Sequence, residues 1–199
     1  ASKMKIGIIG CGNISKTYFT NGPTFQDIEI VACADINMDA AKAKAEEFKV
    51  KAMTVDEIIK SPEVELIVNL TIPAAHAEIN LKALNAGKHV HCEKPLAITL
   101  ADGKKIIDHA KKKKLRVGCA PDTFLGAGLQ TCRKIIDDGW IGRPLAGTAY
   151  MMGRGPEAWH PNPFFFYQTG AGPMFDLGPY YMTALVHLLG PVKTVSACT

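Results

Sequence analysis

The stretch Lys5–Ser15, KIGIIGCGNIS, decides the fold. Ile6, Ile8 and Ile9 are β-branched and apolar, as a strand covered on both faces requires. The strand runs into a glycine turn that opens a helix, predicted over Asn13–Thr20. Gly10 permits a tight turn, and Gly12 has no Cβ to obstruct a pyrophosphate approaching the backbone. The N–H groups at the start of the helix, at Asn13 and Ile14, present partial positive charge to such a phosphate. The dinucleotide-binding fingerprint is G-x-G-x-x-G, and its third position here is Ser15, small enough for close packing of helix on strand. Two glycines alone also suit a strand, turn and helix that bind nothing.

A carboxylate strengthens the first reading. Ile28–Ala34 (IEIVACA) is a second apolar strand, and it ends in Asp35, 20 positions after Ser15. At about that spacing an acidic residue lies beside the first turn and accepts hydrogen bonds from the hydroxyls of an adenosine ribose. The other role open to Asp35 is a helix cap, because Asn37 and Asp39 follow where a helix begins. The carboxylate would repel a 2′-phosphate, and no arginine follows it in Ile36–Ala41 to compensate. NAD is therefore the expected cofactor, with NADP the weaker candidate.

Downstream, strand and helix alternate. Asn37–Phe48 is a helix, and Thr54 to Glu57 is a capping box that opens a short helix closed at Ser61-Pro62. Glu65–Leu70 is a buried strand, Ala74–Ala86 a helix ended by Gly87, Lys88–Cys92 a strand, Thr99–Lys114 a helix capped by Thr99, and Leu115–Ala120 a strand. The pattern predicts an α/β fold, a doubly wound parallel Rossmann sheet with right-handed crossovers. Ligands in such sheets gather beyond the carboxyl ends of the strands. Besides the glycine turn, Thr71, Pro73 and His76 fall there, as do Glu93 and Lys94. His76, in the first turn of its helix, fits either contact with the cofactor or simple surface exposure. Pro95 forces Lys94 into an extended conformation and favours a cis bond. A lysine aimed in this way beside a cofactor crevice can hydrogen-bond a substrate hydroxyl and shuttle its proton. The alternative is a solvated lysine in a turn.

Composition is that of an ordinary soluble protein: 199 residues, 47% hydrophobic, 21% charged, net charge +4. The charge is small and scattered, which argues against nucleic acid, and the dense run Lys111–Lys114 complements a helix C-terminus. Six cysteines (Cys11, Cys33, Cys92, Cys119, Cys132, Cys198) show no C-x-x-C pair or metal spacing and read as small core residues in a reducing compartment. No apolar run reaches the ~18 residues of a membrane span. The cytoplasm is the expected location, and no metal site is expected.

From Asp122 the composition turns to Gly, Pro and aromatic residues, placing a domain boundary near 121–123. The expected domains are 1–121, binding NAD(P), and 122–199, the start of an α/β substrate and oligomerisation domain. Gly126–Asp138 is predicted helical and Pro144–Met152 a strand. Gly153–Gly172 is a long loop carrying Trp159, His160, Phe164–Phe166 and Tyr167, and a loop of that length is usually functional or disordered. Its aromatics pack over a ligand or neighbour, or anchor the loop. In the next helix Asp176, Tyr180, Thr183 and His187 form one polar stripe on an otherwise apolar, hence buried, surface. Asp176 is expected near the N-cap, with Pro179 in the first turn. Val192–Cys198 is predicted to begin a new strand.

Lys5–Ser15, the Thr71–His76 turn, Glu93-Lys94-Pro95, Gly139-Trp-Ile-Gly142 and Asp176-Leu-Gly-Pro-Tyr180 together resemble the Gfo/Idh/MocA oxidoreductase family, in order and spacing along essentially the whole chain. The resemblance implies an NAD(H)- or NADP(H)-dependent enzyme acting on sugars, cyclitols or related compounds, and a C-terminal sheet that makes homo-oligomer contacts. It assigns Lys94, Asp176 and Tyr180 to catalysis, and it leaves Trp159, His160 and Thr183 as candidates for substrate contact. Tyr180 stands where histidine is common, and Thr183 where a second aspartate is often found. A phenol with a pKa near ~10 is a poor base unless a cation stabilises its phenolate; Lys94 is the expected cation, and His160 the reserve proton carrier. Related enzymes continue for several more strands, so the chain is expected to be truncated. A catalytically silent, cofactor-sensing regulator on the same fold is the alternative function. A methyltransferase would explain neither Lys94 nor the polar stripe.

Overall fold

The computed structural model describes residues 2–160 and 162–198. The chain divides after Ala120 into two compact units.

The first unit is a six-stranded parallel sheet in the order β3-β2-β1-β4-β5-β6. Its strands are β1 (Met4–Ile9), β2 (Ile28–Ala34), β3 (Lys51–Met53), β4 (Leu66–Asn69), β5 (His89–Cys92) and β6 (Val117–Cys119). The intervening helices are α1 (Ser15–Asn21), α2 (Met38–Phe48), α3 (Val55–Lys60), α4 (Pro73–Asn85) and α5 (Leu100–Lys113). Successive strand residues point to opposite faces, so each strand feeds two cores. Ile9, Ala32, Ala34, Ile67, Val90 and Cys92 pack with Ile58, Leu84 and Ile106 on one side. Ile6, Ile8, Cys33 and Val68 pack with Phe19 and Ala41 on the other. Both faces are thus covered, which is why the strand sequences are nearly continuous apolar runs. Between Ile6 and Gly7 the β1–β2 register slips: Ile6 faces Ile30 while Gly7 faces Ala32.

Local signals hold the helices. Asn37 caps α2, Thr54 and Glu57 close a full capping box on α3, and Thr99 Oγ1 accepts the Asp102 N–H at 3.1 Å to cap α5. β3 falls outside the sequence expectation, because a three-residue edge strand reading Lys-Ala-Met shows no apolar run.

The second unit contains α6 (Ala127–Asp137), a 3₁₀ turn over Pro163–Tyr167, α7 (Gly172–Asp176) and α8 (Gly178–Leu189). Three expectations are corrected here. Pro144–Met152 and Val192–Cys198 are irregular rather than strands; neither finds a neighbour to supply a ladder of hydrogen bonds, and an unpaired strand is not stable alone. Asp176 does lie near the start of the long helix: it ends α7, directly before Leu177, which holds the N-cap position of α8. The apolar faces of α8 are not fully buried, with Tyr181, Met182, Val186 and Leu189 exposed, since no sheet among the described residues of this unit covers them. Pro179 does lie in the first turn of α8, where its missing N–H costs nothing. The expected long loop is interrupted by the 3₁₀ turn.

Candidate functional site

The glycine turn leaves β1 at the centre of the sheet. Gly10 has φ +105°, and a Cβ there would lie 2.6 Å from the Leu70 carbonyl group, so both conformation and crowding demand glycine. Gly12 differs. A Cβ on it would meet nothing within 4 Å, so nothing in the protein itself requires the gap. Ser15 is fully buried; its hydroxyl donates to the Gly12 carbonyl at 2.6 Å, closing the turn against the start of α1. The cap position Ile14 supplies no side-chain acceptor, and the first turn carries no acidic residue. Gly12, Asn13 and Ile14 are exposed. Asp35 bridges outward from β2: Oδ2 accepts the Cys11 N–H at 2.7 Å and Oδ1 the Asn37 N–H at 2.8 Å. Its carboxylate is thereby fixed beside the glycine turn, and the capping role falls to Asn37. A hydrogen bond with the Cys33 sulfur, together with burial, pushes the Cys11 thiol well up, so that cysteine is a neutral packing group.

Beyond β4 the turn is built on a buried amide network that sequence reading missed. Asn69 Oδ1 accepts from the Thr71 N–H at 3.2 Å and from the Thr71 hydroxyl at 2.7 Å, while its Nδ2 donates to Asn80 Oδ1 at 2.8 Å. Pro73 starts α4. His76 is neither surface-exposed nor open to a ligand: it is 1% exposed, with Nδ1 2.6 Å from the Pro95 carbonyl and Nε2 2.9 Å from the Thr71 carbonyl. The turns after β4 and β5 fold over it, which its place in a first helical turn did not reveal. Both neighbours are carbonyl oxygens, so the ring donates to both at once only when each nitrogen carries a proton.

Glu93 follows β5, and its carboxylate is engaged inside the unit. Oε1 accepts the Tyr18 hydroxyl at 2.8 Å and Oε2 the Lys94 N–H at 3.1 Å. Lys94 is half-buried and precedes a cis bond to Pro95. The glycine turn, Asp35, the Thr71–Pro73 turn and Lys94 all stand at the carboxyl ends of adjacent strands of one sheet. Of the cysteines expected in the core, Cys11, Cys33 and Cys92 are buried, whereas Cys119, Cys132 and Cys198 are exposed because β6 is an edge strand and the second unit has little interior.

Within the second unit, Tyr180, Thr183 and His187 share one face of α8, and Asp176 lies one turn earlier at the end of α7; all four are half-buried. Nε2 of His187 is buried without a hydrogen-bond partner among the described residues. Trp159 is 69% exposed and packs edge-on to His160 (5.5 Å) and Phe166 (5.9 Å). His160 Nδ1 accepts the Asn162 N–H at 3.0 Å. These aromatics anchor their own segment. Among the described residues no group of His, Cys, Asp and Glu could hold a metal ion, and no helix is long and apolar enough to cross a membrane.

Compared with known families, residues 4–120 match the oxidoreductase family with an NAD-binding Rossmann fold, and residues 129–199 match the GFO/IDH/MocA C-terminal domain. The chain belongs to the Gfo/Idh/MocA oxidoreductase family. Its NAD-binding Rossmann domain is the first unit, and the open space at Gly12 beside the fixed Asp35 carboxylate suits that cofactor. The inositol 2-dehydrogenase of Salmonella typhimurium is 32% identical over 173 residues, covering 83% of this chain and 51% of that enzyme. The 1,5-anhydro-D-fructose reductase of Ensifer adhaerens is 31% identical over 146 residues, covering 72% and 44%. The chain thus spans about half the length of the curated relatives it matches. Among solved structures, the WlbA dehydrogenase of Bordetella pertussis, in complex with NADH and UDP-GlcNAcA, superposes with a TM-score of 0.83 at 23% identity, over 96% of this chain and 57% of that one. At that identity the match speaks for the fold. Within the family frame, the signal for Asn69 was available as an amide at the end of a buried strand; Tyr18 carried none, because its partner is 75 positions away.

Proposed function

We propose that this chain is the cofactor-binding and lysine-bearing part of an oxidoreductase that moves a hydride between NAD(H) and a hydroxyl or carbonyl carbon of a sugar, cyclitol or related compound. The observation that carries the reading is the open cradle at Gly12 beside Asp35, on the same sheet end as the Lys94 turn. The relatives named for inositol and anhydrofructose support the substrate class. When bound, the nicotinamide supplies the hydride acceptor or donor. Gly10, Gly12, Asn13 and Ile14 receive the pyrophosphate, Asp35 receives the ribose hydroxyls, and Thr71 and Pro73 line the same end of the sheet. Lys94 holds the substrate oxygen through Nζ and exchanges its proton there. Asp176 and Tyr180 are proposed for catalysis from the second unit, and Trp159, His160 and Thr183 for substrate contact.

Asp35 favours the cofactor without a 2′-phosphate, so titration should give tighter binding of NAD(H) than NADP(H). The decisive experiment uses the full-length protein with NAD and a panel of myo-inositol, other polyols, sugars and dihydrodiols. Turnover of a cyclitol or sugar is expected. Lys94→Met should lower kcat at least ~100-fold with NAD(H) affinity nearly unchanged, and Tyr180→Phe should do likewise. NAD(H) binding with no turnover across the panel would leave the cofactor-sensing regulator instead.

A further inference from the structure

We infer that Tyr18 and His76 are positioning residues that lock the Lys94 turn from its two sides. On one side, the Tyr18 hydroxyl from α1 holds Glu93 Oε1 at 2.8 Å, and Glu93 Oε2 in turn holds the Lys94 N–H at 3.1 Å. On the other side, the buried His76 ring from α4 is wedged between two carbonyl oxygens, Pro95 at 2.6 Å from Nδ1 and Thr71 at 2.9 Å from Nε2, and so ties the turn after β5 to the turn after β4. Lys94 therefore sits between two residues whose polar groups are each tied to a different helix. The Glu93 N–H also donates to the Asn69 carbonyl at 2.9 Å, which fixes the start of the turn to β4. The two side-chain braces begin in helices that stand next to cofactor candidates: α1 is opened by the glycine turn, and α4 starts at Pro73. Glu93 serves here as the relay between α1 and the lysine backbone. A backbone held at both flanks presents its side chain from one fixed point, which is what an acid/base group needs, since a displacement of ~1 Å can cost on the order of 100-fold in rate.

The catalytic consequence rests on the function proposed above; the lock itself does not. Tyr18→Phe removes one hydroxyl and keeps the ring, and His76→Gln keeps one donor nitrogen but not the ring that spans the two carbonyls. In the full-length protein, amide hydrogen exchange at Lys94 should speed up on the order of tenfold in Tyr18→Phe, with the Val90 amide in β5 unchanged. If the Lys94 amide exchanges at the wild-type rate, the lock is refuted whatever the enzyme does. Should His76→Gln fail to fold, Tyr18→Phe still decides the matter. On the best substrate of the panel, either variant should lower kcat about 10-fold or more with NAD(H) affinity within about twofold, and in a Lys94→Met background it should add no further loss. An equal fold loss with and without Lys94 marks general packing and overturns the positioning role. If Lys94→Met alone retains full turnover, the catalytic role of Lys94 fails, and an absence of turnover by the wild type overturns the proposed function; in either case the exchange result still supports or refutes the lock.

Discussion

Gly10 and Gly12 lie two positions apart and are glycine for different reasons. Gly10 is demanded by the protein: its φ is +105° and an added methyl would strike the backbone of Leu70 at 2.6 Å. Gly12 faces open space, so nothing in the chain itself requires its missing Cβ. Gly10→Ala should therefore destabilise the fold by about 3 kcal/mol or more, read as a shift in the urea midpoint. Gly12→Ala should leave that midpoint within the ±0.5 kcal/mol typical of surface changes while weakening NAD(H) binding at least ~10-fold. Unchanged binding in Gly12→Ala would remove the cradle from the site. His76 teaches the opposite lesson. Nothing local marks it as buried, because its two partners arrive from turns 5 and 19 positions away.

At the scale of elements, what was legible in the sequence was what burial on two faces imposes. β1, β2, β4 and β5 were readable because Ile8, Cys33, Ile67 and Val90 stand in apolar runs, and α2, α3 and α5 because Asn37, Thr54 and Thr99 announce their starts. β3 was not, since an edge strand needs only one partner and Lys51–Met53 meets the core through half-buried Met53 alone. Pro144–Met152 and Val192–Cys198 have strand-like residues and, among the described residues, no strand beside them, so propensity finds no ladder to join. β5 also contributes a measurable pH dependence. Burial pushes the Cys92 thiol up to about 12 from an ordinary 9.0, outweighing the opposing influence of the nearby Asn80 amide. The folded state therefore keeps a proton that the unfolded chain releases first. The resulting stability is whole below about pH 9 and is lost as the pH climbs from there toward 12. At pH ~10.5 the wild-type chain should lose on the order of 1–2 kcal/mol relative to pH 8 that Cys92→Ala does not lose, measured by denaturant titration at both values. Equal alkaline losses in the two proteins would contradict this.

For the molecule as a whole, the two units differ in how much interior they have. Among the described residues the buried hydrophobic core lies at or before Ala120, whereas Trp140, Leu145, Met152 and Phe164 of the second unit are exposed. Irregular, exposed backbone is where proteases act first. Brief trypsin treatment of the 199-residue chain should cut first at Arg154, which lies in such a segment, and should spare the lysines of the Rossmann unit. An early cut within residues 4–120, seen by mass spectrometry, would reverse that order of local stability. The sheet margins carry a different consequence. β3 and β6, its two outermost strands, are each only three residues long. Three residues offer too few backbone pairs to template a growing cross-β array, and the long strands that could do so are shielded in the middle. Any self-association in concentrated solution is therefore expected to run through the exposed apolar side chains of the second unit, to reverse in mild detergent, and to form no fibres.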